Sequence, residues 1–184
     1  TQLVNPDALQ TVRIDGLRSV KCYGSSMSFK ATLEKIQGVH GVRVFVKRHS
    51  ADILYDPTKT TVEKIQEAIY KPSKFRVKTP DPAAVSQLKV VTIRTEGMYD
   101  KMDLNYLGMK LRQTEKAIYG LESEFACPLI VRVYMDPAED LSEDWFEEIV
   151  EMEVLQMPQH GGGVKEIACG YDFVEMEDRS ESTR

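Results

Sequence analysis

The chain has 184 residues, 42% of them hydrophobic, and a formal net charge of -5 at pH 7. This size predicts two compact domains with modest cores and excludes a large enzyme. The charge is split, because residues 1–79 carry 14 basic and 7 acidic side chains whereas residues 80–184 carry 10 and 22. Opposite net charges on the two halves argue against a nucleic-acid surface over the whole chain.

The sequence contains neither a signal-peptide pattern nor a stretch of about twenty apolar residues that could cross a bilayer. We therefore expect a soluble chain that does not insert into a membrane. It begins with Thr1 rather than Met, so we expect that an upstream leader, anchor or partner region was removed, and both a cytoplasmic and an exported location stay open. Three widely spaced cysteines, at positions 22, 127 and 169, do not make a disulfide framework.

The first half of the chain predicts the order strand, helix, strand, strand, helix, strand. Alternation at Val12 and Ile14 indicates the first strand, which Gly16 ends. Ser25 and Ser26 are candidate N-caps of the helix that follows. The apolar positions of the later elements are Phe29, Leu33 and Ile36 in that helix, Val42, Val44, Val46, Ala51, Ile53 and Tyr55 in a hairpin, Val62, Ile65 and Ile69 in a second helix, and Phe75 and Val77 in an edge strand.

The second half repeats this order with longer helices. Val91 and Ile93 indicate the opening strand, and an apolar stripe from Leu104 to Ile118 predicts a helix that ends at Gly120. Residues 120–128 are left as a short, poorly patterned second strand. The remaining apolar positions are Leu129, Val131, Val133 and Met135 in a third strand, Leu141, Trp145, Ile149 and Met152 in a helix, and Ile167, Cys169, Tyr171 and Phe173 in a closing strand.

Matching positions in the two halves indicate an internal repeat. Gly16 and Gly97 lie 81 positions apart, and Asp56 and Asp136, each followed by proline, lie 80 apart. An offset that agrees at both ends indicates one unit of about eighty residues used twice. We therefore predict a first domain over residues 1–79, a proline-containing linker over 80–87, and a diverged second domain with an acidic tail over 88–184.

The predicted fold class is α+β. Each βαββαβ unit is expected to pack two helices on one face of a four-stranded antiparallel sheet, as in ferredoxin-like sandwiches, and to leave the other face open. The chain is therefore predicted to hold two such sandwiches in tandem.

The first half resembles the heavy-metal-associated domain, the family of small copper chaperones and of amino-terminal modules on metal-pumping ATPases. The resemblance rests on Gly38–Val44, on Ala51–Pro57 with its Tyr-Asp-Pro, and on the helix Thr61–Ile69. It covers roughly residues 10–79. In the second half only Gly97-Met98 and the Asp136-Pro137 step before a helix correspond.

In that family the loop after the first strand reads Gly-Met-x-Cys-x-x-Cys, and its two thiolates hold one soft ion. The resemblance places Cys22 at the first cysteine and Ser25 at the second, so Ser25 is a degenerate ligand position. A serine hydroxyl is a hard, protonated donor and does not replace a thiolate toward Cu(I) or Zn(II). The resemblance thus implies a possible copper or zinc site at Cys22 and a metal-transporting or thiol-bearing partner protein. No cofactor is certain.

Several alternatives remain. Cys22 could be a reactive or inert thiol in a protein-interaction or regulatory module that has lost metal binding. The loop of the second half has no cysteine but offers Met98, Met102 and Met109, which packing explains better. RNA binding is disfavoured, because a predicted basic sheet face has one aromatic residue; that face consists of Arg43, Phe45, Lys47, Leu54, Arg76 and Lys78. No nucleophile stands in a motif beside a base, so a non-enzymatic protein is expected.

Overall fold

A computed structural model describes residues 5–80, 82–83 and 87–177. The chain forms two compact units, Thr1–Lys71 and Pro72–Arg184. The boundary between them precedes the one predicted after residue 79. The predicted linker 80–87 and the acidic tail lie partly outside the described residues.

From residue 5 onward, the first unit forms three strands and two α-helices. They are β1 (Gln10–Ile14), α1 (Tyr23–Glu34), β2 (Val39–Phe45), β3 (Ser50–Tyr55) and α2 (Val62–Ile69), with short 3-10 turns at Pro6–Ala8 and Val46–Arg48. The strands form an antiparallel sheet in the order β1-β3-β2. The predicted elements up to Ile69 are confirmed.

The first unit is organised around a core under this sheet. Leu33 of α1, Ile53 of β3 and Ile65 of α2 are fully buried, as the predicted apolar stripes require. Gly38 has a φ of +97°, and a Cβ there would lie 2.8 Å from the Cβ of Lys59. Both the positive φ and the close approach require glycine at the end of α1.

The described residues of the second unit form seven strands and two helices. They are β4 (Lys74–Arg76), β5 (Lys89–Glu96), α3 (Lys101–Arg112), β6 (Ile118–Glu124), β7 (Leu129–Met135), α4 (Glu143–Glu151), β8 (Val154–Pro158), β9 (Val164–Ala168) and β10 (Asp172–Glu177). Five strands form one sheet in the order β10-β5-β7-β6-β4, and β8 pairs with β9 in a separate hairpin.

The expectation of two four-stranded sheets is wrong. The strand predicted at Phe75 does form, but it pairs with β6 of the second unit, with Phe75 opposite Leu121. Side-chain contacts explain this placement. The Phe75 ring occupies the space beside Gly108 of α3, and the Arg112 guanidinium donates to the carbonyl oxygens of Arg76 and Val77. The sheets therefore have three and five strands among the described residues.

Two element boundaries of the second unit also differ from the sequence prediction. Helix α3 ends at Arg112, and Ile118 is the first residue of β6. The prediction of a helix up to Gly120 was therefore too long, because it included the turn between these two elements. The closing strand is β10 rather than the segment around Ile167, which belongs to β9. The three glycines at 161–163 all adopt positive φ, a conformation that favours the β8-β9 turn. This inserted hairpin was not predicted.

Substituting Gly108 tests the anchoring of β4. A Cβ at this position would lie 2.0 Å from the Cδ1 atom of Phe75, so Gly108→Ala is expected to displace the ring and destabilise the second unit by about 1–3 kcal/mol. Urea unfolding followed by the fluorescence of Trp145, the single tryptophan, measures the loss. In a Phe75→Ala background the same substitution should cost less, because the clash is gone. If Gly108→Ala lowered the stability equally in both backgrounds, the contact between Gly108 and the Phe75 ring would not explain the loss.

Candidate metal-binding loop

The candidate loop connects β1 to α1 and ends at Cys22. Cys22 is an exposed free thiol and the N-cap residue of α1, with extended backbone angles. Ser25 occupies the third helical position, so the two predicted site residues lie together on the first turn of one helix. Ser25 and Ser26, predicted as candidate caps, instead lie inside the helix. The cap was misplaced because cysteine is not a preferred N-cap residue.

The Ser25 hydroxyl is engaged with the backbone of the loop. Its Oγ accepts from the N–H groups of Lys21 at 2.9 Å and Cys22 at 3.0 Å, and it donates to the carbonyl oxygen of Cys22 at 3.0 Å. The distance between Cys22 Sγ and Ser25 Oγ is 3.5 Å. Ser25 therefore fixes the shape of the loop, and its oxygen offers little capacity for another ligand.

The groups around Cys22 lower the pKa of its thiol. The backbone N–H of Ser25 contributes most, followed by the Ser25 hydroxyl and the backbone N–H of Gly24, and together they outweigh the opposing effect of desolvation. This fits the general behaviour of a thiol at a helix N-terminus, where unpaired N–H groups face the sulfur. A thiolate is the form of cysteine that binds a metal or attacks a disulfide.

Two apolar side chains anchor the segment that precedes Cys22. Leu17 and Val20 are each 1% exposed, and the Leu17 N–H donates to the His49 carbonyl oxygen at 2.8 Å. A ring nitrogen of His49, Nδ1, lies 3.0 Å from the Val20 carbonyl oxygen. His49 is itself exposed, so these contacts hold the loop at the protein surface. Leucine and valine in a polar loop were the signal that it is packed.

A cavity of about 200 Å³ lies beside the loop, between α1 and the end of α2. Ser19, Ser25, Phe29, Leu33 and Lys71 are among the residues that line it. None of its lining residues is a cysteine, histidine or methionine. The cavity therefore adds no soft ligand to Cys22.

The second unit has a corresponding loop before α3, built from carboxylates. Asp100 is the N-cap of α3 and Asp103 its third helical residue, the same positions that Cys22 and Ser25 occupy in α1. Asp103 Oδ2 accepts from the Tyr99 N–H at 2.9 Å, and the Tyr171 hydroxyl donates to Asp103 Oδ1 at 2.7 Å. Burial raises the pKa of the Asp103 carboxyl. These carboxylates cap the helix and carry no thiol chemistry.

Two of the other sulfur-containing candidates, Met98 and Cys169, are buried. Met98 is 5% exposed, and its Sδ accepts from the Thr95 hydroxyl at 3.3 Å. Cys169 is 1% exposed, in agreement with the predicted core position, whereas Cys127 is exposed. Within the described ranges no group of three or more histidine, cysteine or acidic side chains could hold a metal ion. No helix in the same ranges is long and apolar enough to cross a membrane.

Comparison with known proteins identifies the class of the first unit. Residues 11–75 match the model of the heavy-metal-associated domain. This part of the chain is therefore a heavy-metal-associated domain, and the resemblance inferred from the sequence is confirmed.

Solved structures of other proteins also match. Oxidized MerP from Ralstonia metallidurans CH34 is 29% identical, over 34% of this chain and 85% of that chain, with a TM-score of 0.32. The N-terminal soluble domains of Bacillus subtilis CopA are 17% identical, over 95% and 97% of the two chains, with a TM-score of 0.32. The N-terminal extension from Cupriavidus metallidurans CzcP is 18% identical, over 78% and 95%, with a TM-score of 0.27. No curated protein matches the chain.

Proposed function

We propose that the protein is a non-enzymatic module that carries a soft metal ion, Cu(I) or Zn(II), as cargo and holds it through the Cys22 thiolate. The observation that carries the proposal is an exposed cysteine with a lowered pKa at the start of α1, in a part of the chain that matches the heavy-metal-associated domain. Soft ions select thiolate over oxygen donors.

One chain supplies one sulfur at this loop. The Ser25 oxygen is hard and is already bonded to the backbone. A Cu(I) ion on Cys22 therefore needs a second sulfur from elsewhere. We propose that it comes from another molecule, either a second chain or a thiol-bearing partner such as a metal transporter.

The surface beside Cys22 suits such a partner. Tyr23 is 78% exposed and Met27 is 46% exposed, and residues four apart lie on one face of a helix. A partner that brings a second thiolate would cover this apolar surface while the ion is shared. Transfer then occurs by ligand exchange: the partner thiolate binds the ion before the Cys22 sulfur leaves it, and the oxidation state does not change.

We further propose that the second unit is a diverged copy of the first, so that the protein is a tandem of ferredoxin-like units. The equivalent capping positions Cys22 and Asp100, and Ser25 and Asp103, support this, as does the shared order of elements. The limits 1–79, 80–87 and 88–184 stay a prediction about the repeat. In this proposal the second unit has exchanged its ligands for helix-capping carboxylates and holds no soft ion.

The alternative is a protein-interaction or regulatory module that binds no metal. The engagement of Ser25 with the loop backbone favours it, because this geometry persists without an ion. Competition between the reduced protein and a colorimetric Cu(I) chelator separates the two proposals. We expect weak uptake by the wild type, no uptake by Cys22→Ser, and unchanged uptake by Cys127→Ser, the matched control. Equal Cu(I) uptake by the wild type and Cys22→Ser would show that Cys22 does not hold the ion. The protein would then either bind no metal specifically, as in the alternative, or bind it at another site.

A further inference from the structure

The outer face of the first sheet carries a cluster of arginines around one phenylalanine. Arg13 on β1, Asp52 on β3 and Arg43 on β2 lie side by side in register. Alternation places these three residues on the face opposite the buried Ile14, Ile53 and Val42. We call this surface the basic face; its members are Arg13, Arg43, Phe45, Arg48 and Asp52.

Three guanidinium groups surround the Phe45 ring. Their Cζ atoms lie 5.7 Å (Arg13), 5.4 Å (Arg43) and 5.4 Å (Arg48) from the ring centroid. Guanidinium groups within about 6 Å of an aromatic ring are attracted to its face. The ring therefore orders three long side chains that would otherwise move freely, and it reduces the entropy that they lose when they bind a ligand.

The charges of the basic face are unbalanced. Asp52 accepts from Arg13 at 2.7 Å and 2.9 Å, so these two groups neutralise each other. Asp15 also acts electrostatically on Arg13, and Asp52 also acts electrostatically on Arg43 and Arg48. In the described part of the chain no carboxylate lies within ion-pair distance of Arg43 or Arg48. Both side chains are exposed, and each has donors free for a ligand.

On the corresponding face of the second sheet, by contrast, the basic side chains are paired with acidic ones. There Arg132 pairs with Glu122 and Glu124, Arg94 pairs with Glu177, and Lys74 pairs with Glu122. The same kind of sheet is thus built with compensated charges. The excess of arginine on the first sheet is therefore not required by the fold.

We propose that the basic face binds an acidic segment of a partner protein, at a surface separate from the Cys22 loop. Arginine binds carboxylates through paired hydrogen bonds, which Arg43 and Arg48 can both supply. Leu54, 37% exposed on the same face, and the Phe45 ring offer apolar contacts between the charges. Nucleic acid fits less well, because single strands are bound by stacking on several aromatic rings and this face has one.

Fluorescence anisotropy with labelled short probes tests the proposal. The probes are a peptide of glutamate and serine, the same peptide with glutamine in place of glutamate, and single-stranded RNA of equal length. We expect binding of the glutamate peptide only, weakening as salt screens the charges. Arg43→Gln/Arg48→Gln should weaken it about tenfold. The charge-matched control Lys35→Gln/Lys64→Gln, on exposed helix-side positions, should not.

Three outcomes would overturn the proposal: equal loss in both double variants, equal binding of the glutamine peptide, or tighter binding of the RNA. Copper uptake by the Arg43→Gln/Arg48→Gln variant should equal that of the wild type. The proposal for the basic face and the proposal for the metal-binding loop can therefore be tested, and rejected, independently of each other.

Discussion

Ser25→Cys is expected to raise the affinity of a single chain for Cu(I) by at least about a hundredfold, or ~2.7 kcal/mol. The new sulfur would lie on the first turn of α1 next to Cys22, whose Sγ is already 3.5 Å from the Ser25 oxygen. Two convergent thiolates satisfy a soft ion that one sulfur leaves undercoordinated. The substitution also removes the hydroxyl that bonds the loop backbone, which should lower stability by about 1 kcal/mol.

Ser28→Cys is the matched control for this gain. Ser28 is an exposed serine on the same helix, one turn beyond Ser25, so its sulfur would lie too far from Cys22 to share an ion. Chelator competition on reduced, monomeric protein measures all variants. Equal affinities for Ser25→Cys and wild type would show that the loop does not present its side chains to a common ion. Equal gains from both cysteines would point to nonspecific thiol binding.

Lys110→Met is expected to destabilise the second unit by about 3–5 kcal/mol. Lys110 is 1% exposed. Its Nζ donates to the carbonyl oxygens of Val150 at 3.0 Å, Met152 at 2.7 Å and Cys169 at 2.7 Å. The side chain thereby joins the end of α4 to the segment that enters β10. Methionine fills similar space but removes this donor. The Val150 oxygen keeps its bond from the Tyr171 N–H at 3.1 Å, whereas the Met152 and Cys169 oxygens lose the ammonium group, and an unsatisfied buried acceptor costs about 1–3 kcal/mol.

Trp145 lies in α4 and reports the unfolding of this unit in urea. Lys101→Met is the control. Lys101 is an exposed residue at the start of α3, the helix that also contains Lys110, and its substitution should change stability by less than about 0.5 kcal/mol. A loss below about 1 kcal/mol for Lys110→Met would mean that these carbonyl oxygens find other donors.

Much of the first unit could be predicted, because its residues follow the simple periods of strands and helices. Val12 and Ile14 alternate on β1, and Leu33 and Ile65 occupy buried helix faces. The partner of β4 could not be predicted in this way. Period-two alternation at Phe75 and Val77 indicates a strand but carries no information on which sheet edge it joins. The contact of the Phe75 ring with Gly108 and the hydrogen bonds of Arg112 determine which sheet edge β4 joins. Both involve residues that are distant from β4 in sequence.

The assignment of Cys22 and Ser25 as metal-site residues came from the resemblance and stays a prediction. The structure places both residues on one helical turn. The hydrogen bonds of Ser25 to the loop backbone depend on loop geometry that the sequence does not display. The Asp100 and Asp103 pair was missed, although an Asp-x-x-Asp before an apolar helix stripe is a recognisable capping signal.

The central claim, that one chain contributes one thiolate to a shared soft ion, is tested most directly by X-ray absorption at the copper edge on Cu(I)-loaded wild-type protein, with its mass determined by sedimentation. We predict that copper with two sulfur neighbours is found only in species containing two chains or an added thiol-bearing partner. Cys22→Ser should remove those sulfur neighbours. A wild-type monomer, without an added partner, that binds one copper ion through two or more sulfurs would contradict the claim.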